Sequence, residues 1–150
     1  MQLLYLTKEM KKFIVLLLTF PSVLSCSDSN FNNNNPYLPN YSFAVDININ
    51  FYDNLRYSGN AIYTAEAGIR GLIIFNTGSG YIAFDAACPN QSLSSCSTMT
   101  LKGINAVCSC DNAEYSLFSG QCIGTNCDGK QYPMKQYRVE VSGSTIRVYN

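Results

Sequence analysis

From residue 43 the chain alternates apolar and polar positions with a period of two. Phe43, Val45, Ile47 and Ile49 are interleaved with Ala44, Asp46, Asn48 and Asn50, the pattern of a strand with one buried face. Gly71-Leu72-Ile73-Ile74-Phe75-Asn76 is instead a continuous apolar run of strand length. Thr77-Gly78-Ser79-Gly80 then supplies turn residues before Tyr81-Ile82-Ala83-Phe84-Asp85, so the two runs read as a hairpin. Residues 98–101 and 104–107 flank Lys102-Gly103 as a second hairpin. Residues 114–118 read as a short strand ending at Ser119-Gly120, and 136–141 with 145–149 flank Ser142-Gly143-Ser144 as a closing hairpin. No helical period occurs beyond the N-terminal apolar run. Many short strands with frequent turns predict an all-β domain, a small multi-stranded antiparallel sandwich or partly open barrel.

The first 40 residues follow a different logic. Met10-Lys11-Lys12 precedes Phe13-Ile14-Val15-Leu16-Leu17-Leu18-Thr19-Phe20 and then Pro21-Ser22-Val23-Leu24-Ser25-Cys26. A basic end, a short apolar run and small residues before a cleavage point form a secretory signal, and the run is short of the ~20 residues that span a bilayer. Met10-Lys11-Lys12 is also a good start, so initiation is expected at Met10. Val23-Leu24-Ser25-Cys26 resembles the bacterial lipobox, although Leu24 is larger than the usual residue there. That resemblance implies a diacylglycerol thioether on Cys26 and a chain exported to the cell envelope. Its place there would be the outer membrane, on the periplasmic or surface face. The alternative is an ordinary signal peptide with a free Cys26. Residues 27–40 are polar, rich in Asn and punctuated by Pro, too poor in apolar surface to order themselves, and read as a tether. The expected division is therefore signal peptide 1–25, lipidated cysteine and tether 26–40, and β domain 41–150.

Composition narrows the chemistry. Charged residues make up 13% of the chain, against a usual share of about 25%. From Cys26 onward the net charge is −2, which offers no basic field for nucleic acid. The chain has no histidine, which excludes Ser-His-Asp and Cys-His nucleophile pairs, haem attachment through Cys-x-x-Cys-His, and zinc sites that use imidazole. Cys108-Ser109-Cys110 also lacks the usual zinc spacing. Asp85, Asp111 and Glu114 are the carboxylates available for acid–base work, but no spacing selects two of them, and no catalytic residue is identified. Arg70, just before the apolar run, would bind an anion or pair with a local carboxylate. Tyr132, Tyr137 and Tyr149 with Lys135, Arg138 and Arg147 would line a ligand-facing sheet surface, or simply alternate along half-exposed strands, which is the favoured reading.

Seven cysteines suit an oxidising compartment. Six follow Cys26: Cys88, Cys96, Cys108, Cys110, Cys122 and Cys127. They allow many pairings, and sequence alone does not choose among them, although Cys122-Ile123-Gly124-Thr125-Asn126-Cys127 is short enough to close on itself. The surroundings of these cysteines resemble a known family. Gly80-Tyr81-Ile82-Ala83-Phe84-Asp85-Ala86-Ala87-Cys88-Pro89-Asn90 is similar to the strand and first cluster loop of the Rieske [2Fe–2S] family, and Val107-Cys108-Ser109-Cys110-Asp111 to its second loop. Tyr115-Ser116-Leu117-Phe118-Ser119-Gly120 and Tyr132-Pro133-Met134-Lys135-Gln136-Tyr137-Arg138-Val139 resemble the strands that follow. The resemblance covers roughly 69–150 and implies a Rieske-like β domain carried by a bacterial lipoprotein.

The departures from that family decide the expected chemistry. A Rieske centre needs two thiolates on one iron and two imidazoles on the other, and the imidazole positions fall on Asn90 and Asp111. The favoured expectation is a degenerate domain without a cofactor, with Cys88 and Cys108 at the former thiolate positions. By the same resemblance, loops that converge without iron would pair Cys88 with Cys108 and Cys96 with Cys110, leaving Cys122 with Cys127. The alternative swaps partners among the first four. Three functions remain open. The first is a non-catalytic envelope lipoprotein whose protein or small-molecule partner is unspecified. The second is an electron carrier with an atypical [2Fe–2S] cluster on Cys88, Cys108, Cys110 and Asp111. The third is a thiol–disulfide protein cycling through Cys108-Ser109-Cys110.

Overall fold

A computed structural model describes residues 34–150. The expected signal peptide, the Met10 start and Cys26 lie outside the described residues.

The chain forms β1 (Ala44–Asn48), β2 (Ala61–Thr64), β3 (Leu72–Asn76), β4 (Tyr81–Asp85), β5 (Met99–Lys102), β6 (Asn105–Cys108), β7 (Glu114–Ser116), β8 (Cys122–Ile123), β9 (Gln136–Ser142) and β10 (Thr145–Tyr149). All pair antiparallel, in a six-stranded sheet ordered β1-β10-β9-β4-β3-β2 and a four-stranded sheet ordered β5-β6-β7-β8. The six-stranded sheet curls into a half-barrel. Its middle is narrow, because β4 meets β9 through only Ala83 with Tyr137 and Phe84 with Gln136. The three hairpins read from the sequence are present as β3–β4, β5–β6 and β9–β10.

Strand patterns follow burial. β3 lies between two cores, so both of its faces are apolar. Ile73 and Phe75 pack with Phe84, Met99, Tyr115 and Met134 toward the small sheet. Leu72 and Ile74 pack with Ile47, Ile62, Tyr137 and Ile146 inside the curl. β1 buries one face only, with Ile47 inward and Ala44 and Asp46 exposed, and its alternation records this. β1 stops at Asn48 because the Asn48 side chain accepts the Asn50 N–H at 2.9 Å and starts a 3-10 turn over Ile49–Phe51. β7 ends at Ser116, where the Gly120 N–H returns to the Ser116 carbonyl at 2.7 Å. β2 and β8, four and two residues long, carry too little pattern of their own to be read from the sequence.

Part of the expected tether belongs to the domain. Leu38 and Asn35 are buried, and Asn35 Nδ2 donates to the Pro89 carbonyl at 2.6 Å. Tyr37 sits edge-on to Tyr132, ring centroids 6.1 Å apart. The packed chain thus includes Asn35, rather than starting at residue 41. The segment cannot order alone, but an existing surface gives its few apolar groups somewhere to go.

Candidate functional site: the disulfide-closed loops

β4 and β6 deliver two cysteines to the same end of the core. After β4 the chain runs antiparallel to 97–99, through a bridge between Ala87 and Thr98 and a bond from the Cys88 N–H to the Ser97 carbonyl. Met99 in turn pairs with Cys108 across the β5–β6 hairpin. Cys88 and Cys108 are each 1% exposed and are bonded to each other, Cα atoms 5.5 Å apart.

The course of the chain past β4 is fixed by Asp85, which is fully buried. Its carboxylate accepts the N–H groups of Ile69, Arg70 and Ala87 and the Tyr137 hydroxyl at 2.7 Å. Gly68 makes this approach possible: at φ +87, a Cβ there would fall 2.5 Å from the Gly71 carbonyl oxygen, which as backbone cannot move aside. Burial raises the Asp85 carboxyl above its ordinary range, against the pull of its four donors. Burial also lowers Lys135, partly offset by the Asp85 charge, and raises the Tyr137 hydroxyl, reinforced by the same charge and hydrogen bond. Lys135 is 1% exposed, with its ammonium on Asn40 Oδ1. The sequence pattern puts Lys135 on a half-exposed strand, and the structure buries it instead, because tertiary packing brings the Asn40 amide to its ammonium.

A second disulfide lies against the first. Cys96 and Cys110 are bonded with Cα atoms 5.0 Å apart, and the Sγ atoms of Cys88, Cys108 and Cys110 all lie within 4.8 Å of one another. The Ser94 hydroxyl sits 3.3 Å from Cys96 Sγ and 3.6 Å from Cys110 Sγ. Gln91 Nε2 donates to Cys108 Sγ at 2.8 Å, a contact the sequence did not flag. Cys122 and Cys127 close a separate small loop, Cα atoms 5.7 Å apart. Cys88–Cys108 and Cys96–Cys110 are the pairs the family resemblance implies, Cys122–Cys127 is the pair its short spacing allows, and the swapped set is not formed.

Asn90 and Asp111, which the family resemblance would set at the imidazole positions, both serve structural roles. Asn90 Oδ1 accepts the N–H groups of Gln131 and Tyr132, both at 2.9 Å. Its Nδ2 donates to the Tyr132 carbonyl at 2.7 Å and the Tyr115 hydroxyl at 3.0 Å. Two donors and two acceptors are all that an amide offers, so Asn90 clamps the 131–132 segment and has no lone pair to spare. Asp111 pairs with Lys130 and accepts the Ala113 N–H at 3.0 Å. Burial works against its ionised form, but the hydrogen bond from Lys130 and that from Ala113 prevail and hold the carboxyl below its usual range. These residues do not fit a Rieske cluster. The nitrogen donors are missing, the substitute amide and carboxylate are engaged elsewhere, and the sulfurs are bonded to one another. Among the described residues, the group of close sulfurs does not include Asp111.

The other candidates disperse. Asp85, Asp111 and Glu114 do not meet: Glu114 pairs with Lys102 and accepts from Asn105 on the small sheet. The Arg70 guanidinium donates to the Ser94 carbonyl at 2.7 Å rather than to a carboxylate. Tyr137 and Lys135 point inward, and Tyr132 belongs to the Asn90 clamp. Tyr149 bonds Glu140 beneath the Arg138 guanidinium, and Arg147 lines an open groove with Asp46 and Glu140. Arg138, Arg147 and Tyr149 thus share one exposed face of β9 and β10, and Tyr132, Lys135 and Tyr137 are not part of it.

No protein-family model and no curated protein matches the chain. Solved structures are similar in fold. The ferredoxin of carbazole 1,9a-dioxygenase from Nocardioides aromaticivorans IC177 is 13% identical, with 73% of this chain and 97% of that one covered at a TM-score of 0.47. The Sphingomonas yanoikuyae B1 ferredoxin is 14% identical, with coverage of 63% and 88% and a TM-score of 0.43. The quaternary ammonium Rieske monooxygenase CntA is 18% identical over 71% of this chain but only 30% of its own length, TM-score 0.48. Each is what the chain is similar to.

Proposed function

We propose that the chain is a non-catalytic lipoprotein of the bacterial cell envelope. In this reading its Rieske-like domain is a disulfide-braced structural or binding module, held at the membrane by lipid on Cys26. The observation that carries this is the bond between Cys88 and Cys108. In a cluster-bearing relative these sulfurs would share an iron, whereas here each is the other's partner. The engagement of Asn90 and Asp111 supports the same reading, as does the cysteine count, which suits export. A net charge of −2 from Cys26 onward favours a protein or small-molecule partner over nucleic acid.

The test uses the full chain, expressed in a bacterial host and purified anaerobically from the membrane fraction. Iron and acid-labile sulfide are measured, thiols are titrated after denaturation, and the N-terminal peptide is weighed by mass spectrometry. The expected result is no stoichiometric iron or sulfide, no free thiol among the six domain cysteines, and diacylglyceryl-Cys26 at the N-terminus. One cluster's worth of iron and sulfide, six free thiols, or a soluble product with unmodified Cys26 would each overturn the reading.

A further inference from the structure

The two neighbouring disulfides differ in access. Cys88 and Cys108 are buried, whereas Cys96 is exposed and Cys110 half-buried. Exchange requires a thiolate to approach a sulfur directly, so a reductant in solution meets the Cys96–Cys110 bond first. Once released, Cys110 Sγ starts within 4.8 Å of both sulfurs of the inner bond. Those two sulfurs are not equivalent. Cys108 Sγ already receives a side-chain N–H from Gln91 at 2.8 Å, and among the described residues no such donor faces Cys88 Sγ. A donor on a departing sulfur stabilises the thiolate it becomes.

We propose that these four cysteines form a two-step thiol–disulfide relay, in which Cys110, freed from Cys96 by an external dithiol, attacks Cys88 and expels Cys108 onto Gln91. It rests on the disulfide reading given above. In the first step a dithiol reduces the outer bond: two electrons and two protons pass to Cys96 and Cys110, and the dithiol leaves as a disulfide. The second step is redox-neutral. Cys110 loses its proton, and its thiolate forms a bond to Cys88 Sγ. The Cys88–Cys108 bond breaks, its electron pair leaves on Cys108 Sγ, and the resulting thiolate accepts from Gln91 Nε2 or takes up the proton that Cys110 gave up. Attack on Cys108 instead would leave the charge on Cys88 without that donor, and would close a bond across a single residue. The buried bond thus responds to a reductant that it never meets.

The experiment uses the full-length oxidised Cys96→Ser chain, in which Cys110 has no partner. After equilibration at pH 8 the protein is quenched in acid, denatured, alkylated with N-ethylmaleimide and digested without reduction, and mass spectrometry locates the label. The expected result is label divided between Cys110 and Cys108, with a Cys88–Cys110 peptide present. Adding Gln91→Leu lowers the Cys108 share roughly tenfold, the worth of one hydrogen bond to a charged group. Cys110→Ser, which frees the exposed Cys96 instead, keeps its label on Cys96 alone and shows that the inner bond survives loss of the outer one. Label confined to Cys110 in Cys96→Ser, label at Cys88, or scrambling in Cys110→Ser would overturn the relay. None of these outcomes bears on iron or on the free thiols of the unaltered chain, so the relay and the proposed function fail separately.

Discussion

Removing the inner disulfide tests how far the fold depends on it. The Cys88–Cys108 bond closes 20 residues and Cys96–Cys110 closes 14. Loop entropy assigns them nearly equal contributions, about 3.3 and 3.0 kcal/mol. Burial separates them. Cys88 and Cys108 sit inside the core with Phe84, Met99 and Tyr115, so the double substitution C88A/C108A also leaves two voids of about methyl size, each costing about 1 kcal/mol. The expected losses are therefore about 5 kcal/mol for C88A/C108A and about 3 kcal/mol for C96A/C110A. Against a typical domain stability of 5–15 kcal/mol, the first variant is at or near the edge of folding. At about 4 °C per kcal/mol the melting temperatures fall by roughly 20 and 12 °C. The chain has 11 tyrosines and no tryptophan, so urea and thermal unfolding are followed by near-ultraviolet circular dichroism. Each variant should also show a steeper urea dependence, because an uncrosslinked unfolded chain exposes more surface. Equal losses in the two variants would refute the burial argument. A loss below about 1 kcal/mol in either would refute the view that these bonds restrain the unfolded chain.

Two further outcomes concern Asn90 and Asp111. Asn90→Leu strips partners from the Gln131 and Tyr132 N–H groups, the Tyr132 carbonyl and the Tyr115 hydroxyl; a loss of about 2–3 kcal/mol is expected in urea unfolding, and a change under about 0.5 kcal/mol would show that the clamp is not structural. Asp111 is held below its ordinary range, so its contribution is present above about pH 4 and lost as the pH falls through the depressed native value. Lys130 is raised, chiefly by its hydrogen bond to Asp111, so its share persists until the pH rises beyond about 10.5. Asp111→Asn should therefore cost about 1 kcal/mol at pH 7 and almost nothing at pH 2.5, and an equal deficit at both would contradict the ion pair.

What could be read from the sequence was what repeats at short range. The period of two in β1, the unbroken run of β3 and the turn residues between hairpin strands report local backbone geometry and which faces meet apolar neighbours. The absence of histidine limited the chemistry without any knowledge of folding. The pairing of Cys88 with Cys108 and of Cys96 with Cys110 came from family resemblance, since spacing alone left it open. Tertiary structure alone decided that Asn90 serves as a four-bonded clamp, that Asp111 turns to Lys130, and that Lys135 is buried beside Asn40. It also decided that the segment from Asn35 packs onto the domain, and that Cys110 lies against the inner bond. Each of these joins groups far apart in the chain, and a polar side chain takes whichever partners the folded surfaces bring within hydrogen-bond reach. Composition names the groups available, and only packing settles which of them meet.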